Sequence, residues 1–285
     1  MKRSCSPEWP DVSVRPIQIS LLHATYRAGA SAVATRDAWL AAAELPERVT
    51  HVFSSDADDE VSAAHPAIRE GRVNPPQDGV SAVRNWNAAA DAASGDVLVV
   101  IADDLFPAVG WDAQIEELCV DLDPRRASFV IKLRDSADDT WALIRHPVVS
   151  RRYFEKYGLW FPAYEGHGVD NDFTQAAHRR QLVIDGRQFH FDHHCPHHNE
   201  LPWTESQRKM LTSQELGARL FSERWPIWKR RFIRRYLSPA PGQQTIPVWW
   251  RVRAALTYPL PYLLRPVPTS LIVKAKAFKS RAPDE

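Results

Sequence analysis

The stretch RNWNAAADAASGDVLVVIADD, residues 84–104, decides the fold. Its first half is rich in Ala and free of Pro, a helix composition, and Gly95 stands where a helix is expected to stop. Its second half carries six consecutive apolar residues, Val97 to Ala102, between Gly95-Asp96 and Asp103-Asp104. An apolar run of that length without alternation reads as a central parallel strand covered on both faces. The two aspartates then lie at its carboxyl end, and in open α/β sheets ligands bind in the crevice outside the strands' carboxyl ends.

Working outward, IQISLL (17–22) is a buried strand closed by the loop HATYRAGAS, and an Ala-rich helix is expected from Ser31 to Leu45, ahead of Pro46. VTHVF (49–53) is the next strand and runs into the acidic cluster SSDADDE. These pieces make a βαβ unit and an α/β fold. A further extended piece is expected near GRVNPP (71–76). Beyond residue 104 the pattern predicts a helix at Trp111–Leu118 and strands at FVIKL (129–133) and TWALIRH (140–146). Next come a helix from Ser150, a loop FPAYEGHGVDND (161–172) before a helix ending near Arg180, and a short strand LVI (182–184).

Three groups of residues carry candidate chemistry. Asp103 and Asp104 are adjacent carboxylates after a buried strand, where like charges call for a counter-ion such as a divalent cation; a solvated turn is the alternative. HFDHHCPHHN (190–199) holds five of the 11 histidines, His190, His193, His194, His197 and His198, with Cys195 among them. Imidazole added to a carboxylate site suits manganese, iron or zinc better than calcium; a His-rich exposed loop is the alternative. Asp170 and Asp172, in GHGVDNDF, stand at a helix start, where an aspartate serves as an N-cap or, in a cleft, as a general base.

The chain is 285 residues, long enough for one large domain with an appendage, and its net charge of +1 hides an asymmetry. From Arg224 to Glu285 there are 13 Lys and Arg against 2 acids, so the remainder is acidic. This segment interleaves Arg and Lys with aromatics and, between Pro239 and Pro268, seven prolines; WPIWKRRFIRRYL (225–237) is helical by pattern. Its candidate partners are the acidic body of the chain and an anionic membrane surface. Nucleic acid is not expected, because no binding module accompanies the charge. Three scattered cysteines fit a reducing compartment. No apolar stretch reaches the roughly 20 residues of a membrane span and no signal-peptide pattern opens the chain, so a cytoplasmic protein, peripheral at the inner membrane face through its tail, is expected.

Taken in order, ISLLHATYRAG, HVFSSDADDE, VSAVRNWNAAADAASGDVLVVIADD, GHGVDND and HFDHHCPHH resemble the successive motifs of family 2 glycosyltransferases. The resemblance covers roughly residues 16–200. It implies the GT-A fold, a mixed, mostly parallel central sheet flanked by helices, and three regions: a leader (1–15), a GT-A domain (16–224) and a basic C-terminal extension (225–285). It also implies a nucleoside-diphosphate sugar donor and a divalent cation, Mn2+ or Mg2+. Residue by residue, Thr25, Tyr26 and Arg27 match the loop that holds the nucleotide, Asp56 the acid that reads the base, and Arg84 an arginine beside the nucleotide. Asp103 and Asp104 match the second and third positions of the DxD motif, Asp104 being the metal anchor. His193 and His194 match a late metal-binding histidine, and Asp170 the catalytic base of inverting members. The sequence departs from the motif at Ala102, which replaces its first acid and transfers the ribose contact to Asp103.

The implied function is metal-dependent transfer of a sugar, from UDP by preference, to a hydroxyl on a saccharide or lipid-linked acceptor, with inversion, in surface polysaccharide or glycolipid synthesis. Two rivals remain from the residues alone. One is a metal-dependent hydrolase built on the Asp and His clusters; the other is an inactive member that binds a membrane or a partner.

Overall fold

Alternate residues of the apolar run at 97–101 go to opposite faces, as the period of an extended chain requires. Val97, Val99 and Ile101 join one buried cluster with Leu21, Trp39, Trp111 and Ile115, while Leu98 and Val100 join another with Leu22, Tyr153, Trp160 and Phe173. One strand thus feeds two cores, and helices must cover both sides of the sheet. A computed structural model describes residues 16–75, 81–135, 143–194, 202–203 and 205–226.

The chain begins β1 (Ile19–Ala24), α1 (Ala30–Ala41), β2 (Val49–Ser54), two short helices α2 (Glu60–Ala64) and α3 (Pro66–Arg69), α4 (Ala82–Ala92) and β3 (Val97–Ile101). It continues with β4 (Leu105–Phe106), α5 (Trp111–Leu118), β5 (Val130–Arg134), β6 (Val148–Ser150), α6 (Arg151–Tyr157) and α7 (Val169–Arg179). It closes with β7 (Val183–His190), β8 (Asp192–His193), α8 (Glu205–Thr212) and α9 (Gln214–Arg224). The main sheet has six strands in the order β2-β1-β3-β6-β5-β7, and β4 with β8 forms a two-stranded antiparallel ribbon. Three neighbouring pairs are parallel (β1 with β2, β1 with β3, β5 with β7) and the two made by β6 are antiparallel, a mixed, mostly parallel α/β sheet. Every residue of β1 and of β3 is buried.

Several expected elements are corrected. Helix α1 ends at Ala41, and a one-turn 3-10 helix at Pro46–Arg48 precedes β2. Of the piece at 71–76, residues 71–75 are described and Val73 bridges in parallel to Ser54, with α2 and α3 before it in the chain. The strand expected at 140–146 is instead β6 at 148–150; residues 143–147 are irregular, and 140–142 lie outside the described residues. Helix α7 starts inside the stretch read as a loop, and β7 runs eight residues rather than three, because it pairs along all of β5. Gly95 does not cap α4. The cap is Ala93 in an extended conformation, and Gly95 is required by close approach: a Cβ there would meet the Ser20 backbone nitrogen at 2.6 Å.

Candidate active site

β3 ends at Ile101, and the Leu105 amide donates to the Ala102 carbonyl at 3.2 Å, so Asp103 and Asp104 occupy a turn between β3 and β4. Asp103 is anchored on both carboxylate oxygens: His23 Nε2 lies 2.9 Å from Oδ1, and Thr25 Oγ1 donates to Oδ2 at 3.2 Å. The Asp103 carbonyl accepts from Thr35 of α1 at 2.7 Å. His23 is buried at the end of β1 and its Nδ1 meets His51 Nε2 of β2 at 3.0 Å, a file of three polar groups across neighbouring strands. Burial, with the His23 and Arg36 charges beside it, pushes His51 down to about 2, so that ring is neutral at ordinary pH.

Asp104 points at a different set. Its Oδ1 lies 3.5 Å from His193 Nε2, and its Oδ2 accepts from Gln207 of α8 at 2.9 Å. Burial would raise this carboxyl, but the hydrogen bonds and charges of His193, His146 and Gln207 outweigh it and hold Asp104 at about 2. The ribbon brings His193 there, because Leu105 pairs with His193 across β4 and β8. Behind His193 the ring of His146 stands edge-on at 4.8 Å, and His146 Nδ1 is 2.9 Å from buried Asp135. His194 diverges from this pair. Its amide donates to the Asp104 carbonyl at 2.8 Å, but its ring pairs with Asp192 at 2.8 Å and lies against Phe106. Among the described residues no three His, Cys, Asp or Glu side chains converge tightly enough to hold a metal ion by themselves. Asp104 with His193 supplies two donors, and the chemistry of that pair, an ionised carboxylate beside an imidazole, fits a divalent cation completed by substrate oxygens and water. Cys195, His197 and His198 lie outside the described residues.

Asp56 is buried just beyond β2. Its Oδ1 accepts from Asn85 Nδ2 at 3.0 Å, and its Oδ2, equally buried, has no hydrogen-bond partner among the described residues. Burial is the main reason its carboxyl is held above the ordinary value. Arg84 sits in the first turn of α4, which Ser81 caps by accepting the Arg84 amide at 3.2 Å. The same Ser81 hydroxyl donates to the Glu165 carbonyl at 3.2 Å, tying α4 to the segment that leads into α7. In the β1 loop, Arg27 has φ +53, its amide donates to Asp59 at 2.8 Å, and its guanidinium lies 5.4 Å from the Tyr26 ring centre.

Asp170 and Asp172 both lie in the first turn of α7, but neither caps it. The cap is Gly168 at φ +84, with no side-chain hydrogen bond. Asp170 is half-buried, and its Oδ1 accepts from the amide and side chain of its neighbour Asn171 at 2.8 and 3.1 Å. Asp172 is buried and fully committed: Arg224 Nε donates to it at 2.7 Å, Trp225 Nε1 at 2.6 Å and Tyr164 at 3.4 Å. Helix α9 thereby closes on α7. Gly217 of α9 abuts the His167 carbonyl so closely that no Cβ fits, and Ser213 accepts from the His167 amide at 3.1 Å. The other side of Asp170 is tied down through Thr174, which donates to the Asp170 carbonyl at 2.6 Å and accepts the Ile144 amide at 2.9 Å.

The fold is similar to that of solved structures. A fragment of S. aureus TarS, residues 1–349, solved in complex with UDP-GlcNAc, matches with TM-score 0.51 at 10% identity over 76% of this chain and 68% of that one. The mannosyltransferase PcManGT from Pyrobaculum calidifontis, in complex with GDP-Man and Mn2+, matches with TM-score 0.51 at 11% identity over 94% and 82%. The chain has the GT-A glycosyltransferase fold. It spans 61% of the length of the TarS 1–349 fragment in another structure of it and 37% of the longer TarS structure. No described protein family and no curated protein matches the sequence itself. Among the described residues no helix is long and apolar enough to cross a membrane.

On this GT-A frame, residue patterning left four parts of the site unmarked. Asn85, inside the quoted motif, holds Asp56, while His146 and Gln207 flank Asp104. Arg224, which the charge count groups with the basic extension, is half-buried against α7 through its pair with Asp172. Of the helix expected over 225–237, only Trp225 and Pro226 are described, and Trp225 is not helical. Its backbone leaves the helical region at φ −124, ending α9, and residues from 227 onward lie outside the described residues.

Proposed function

We propose that the protein is a metal-dependent glycosyltransferase that moves a sugar from a nucleoside diphosphate, UDP by preference, to a hydroxyl acceptor with inversion. The observation that carries the reading is the ionised Asp104 beside His193 at the end of the central strand of a GT-A sheet. TarS and PcManGT, which share the fold, were solved with UDP-GlcNAc and with GDP-Man and Mn2+.

In this reading the buried, unpartnered Oδ2 of Asp56 accepts the imide N–H of uracil, with Tyr26, Arg27 and Arg84 around the nucleotide. Asp103, fixed by His23 and Thr25, takes the ribose hydroxyls in place of the missing acid at Ala102. Asp104 and His193 would hold Mn2+ or Mg2+, which offsets the charge that develops on the departing diphosphate. Asp170 takes the proton of the acceptor hydroxyl, whose oxygen attacks the anomeric carbon while the bond to the diphosphate breaks with its electron pair. One displacement inverts the centre. His194 contributes its backbone to the Asp104 turn and serves the metal only if its ring leaves Asp192. A saccharide or lipid-linked acceptor, in surface polysaccharide or glycolipid synthesis, and peripheral attachment to the inner membrane face through residues 225–285 complete the proposal.

Thermal-shift titration against UDP, GDP, TDP and CDP, with and without Mn2+, tests the donor, because a ligand that binds the native state raises the apparent midpoint. A Mn2+-dependent shift with UDP is expected; no shift with any of the four, in folded protein, refutes the reading. Asp170→Asn should keep the UDP shift and abolish turnover.

A further inference from the structure

A cavity of about 380 Å³ opens at the far end of α7, lined by Ala176, Arg179, Arg180, Arg224 and Trp225. Nine residues of helix at 1.5 Å each place Arg179 about 14 Å along the axis from Asp170, while Arg224 and Trp225 on the opposite wall reach back to Asp172 in the first turn of α7. The described wall of the cavity brings three guanidiniums together, those of the exposed Arg179 and Arg180 and that of Arg224, with the Asp172 carboxylate behind Arg224 and Trp225. Two of them are held in place. Arg224 donates to Asp172 through both Nε and Nη2, which leaves Nη1 to face the cavity, and lies 3.4 Å above the Phe161 ring, and Arg180 lies 4.3 Å from the Tyr157 ring centre. The Trp225 indole is fixed as well, by its bond to Asp172. Guanidinium forks match the oxygens of a phosphate, and forks already fixed lose less freedom on binding. Ala176 contributes only a methyl group, which leaves the room, and its carbonyl is already satisfied by the Arg180 amide at 3.2 Å, so an anion would not face it bare.

We propose that this cavity binds the phosphate group of a phosphate ester, at a lipid headgroup or on a soluble molecule. The test uses the full chain, Arg179→Ala/Arg180→Ala, Arg179→Ala alone as a milder change, and Arg126→Ala/Arg219→Ala. The last removes the same charge at side chains 89% and 69% exposed. Glycerol 3-phosphate binding is read by calorimetry, and flotation is read with phosphatidylglycerol-containing and with pure phosphatidylcholine vesicles. Loss of two charge-assisted contacts should weaken the probe that uses the site by about tenfold or more in Arg179→Ala/Arg180→Ala, with a smaller loss in Arg179→Ala and little change in the control. Loss of phosphatidylglycerol flotation beyond the control's identifies a headgroup; loss of glycerol 3-phosphate binding with flotation unchanged identifies a soluble ester. Failure of the full chain to bind either probe overturns the proposal, as do equal losses in the two double variants or unchanged binding of both probes in Arg179→Ala/Arg180→Ala.

Discussion

Removing Arg224 should cost more than neutralising its partner Asp172, and the inequality follows from their burial. Asp172 is 6% exposed at the side chain and Arg224 34%. Arg224→Met leaves a buried carboxylate with only two neutral donors, Trp225 and Tyr164. Breaking a buried pair this way costs about 3–5 kcal/mol in general, and the remaining donors together with Arg224's partial exposure bring the expected loss to about 2–3 kcal/mol. Asp172→Asn keeps the shape and an oxygen for the indole, and the orphaned guanidinium sits near water, so about 1–2 kcal/mol is expected. The double variant Arg224→Met/Asp172→Asn should fall short of the sum by about 1 kcal/mol or more, since the two residues touch. Equilibrium unfolding in urea, followed by far-UV circular dichroism with unchanged slope, measures all three. Additivity within about 0.5 kcal/mol, or Asp172→Asn proving the costlier change, would refute the reasoning.

Three further outcomes are expected. Asp56→Asn should stabilise the ligand-free protein by about 0.5–1 kcal/mol, because it removes a buried charge with one unpartnered oxygen, while weakening UDP binding; midpoint and calorimetric affinity should move in opposite senses. Asp104 is held below its ordinary 3.8, so its stabilisation is present above about pH 4 and is lost as pH falls through about 2. The stability difference between the wild-type chain and Asp104→Asn should therefore shrink by up to about 2 kcal/mol between pH 5 and pH 2, and a flat difference would show that the carboxylate is not so held. His23→Phe keeps ring packing on Phe53 but drops the donor to Asp103; UDP affinity should fall about tenfold with secondary structure intact, and an unchanged affinity would remove Asp103 from the nucleotide site.

The first half of the fold was legible because its signals are local. The apolar runs at 17–22 and 97–102, the Ala-rich helix before Gly95 and the acids at strand ends each report their own neighbourhood. Three of the misreadings share one cause, since each depended on a partner distant in the chain. Gly95 has the sequence look of a helix stop, but its need is set by Ser20, 75 residues away. β7 is long because β5 pairs along it, and its own sequence, VIDGRQFH, shows no alternation to announce that. In the candidate site, Asp103 and Asp104 were legible as a pair, but not that they part company, one turning to His23 and the other to His193. Asp172 shows the same limit from the other side: a helix-start aspartate resembles a cap until Arg224, 52 residues on, is seen to own it.

The fit of α9 against the start of α7 has a mechanical consequence. Ser213, Gly217 and Arg224 fall on one stripe of the helix, and each holds the turn around Asp170: at the His167 amide, at the His167 carbonyl and at Asp172. A missing side chain at 217 lets the two backbones touch, and a fixed charge pair two helical turns later prevents rotation about that contact. In sequence, this clasp immediately precedes the chain's most basic segment. A pull on Trp225 is therefore borne first by a carboxylate two residues from Asp170, on the same helix.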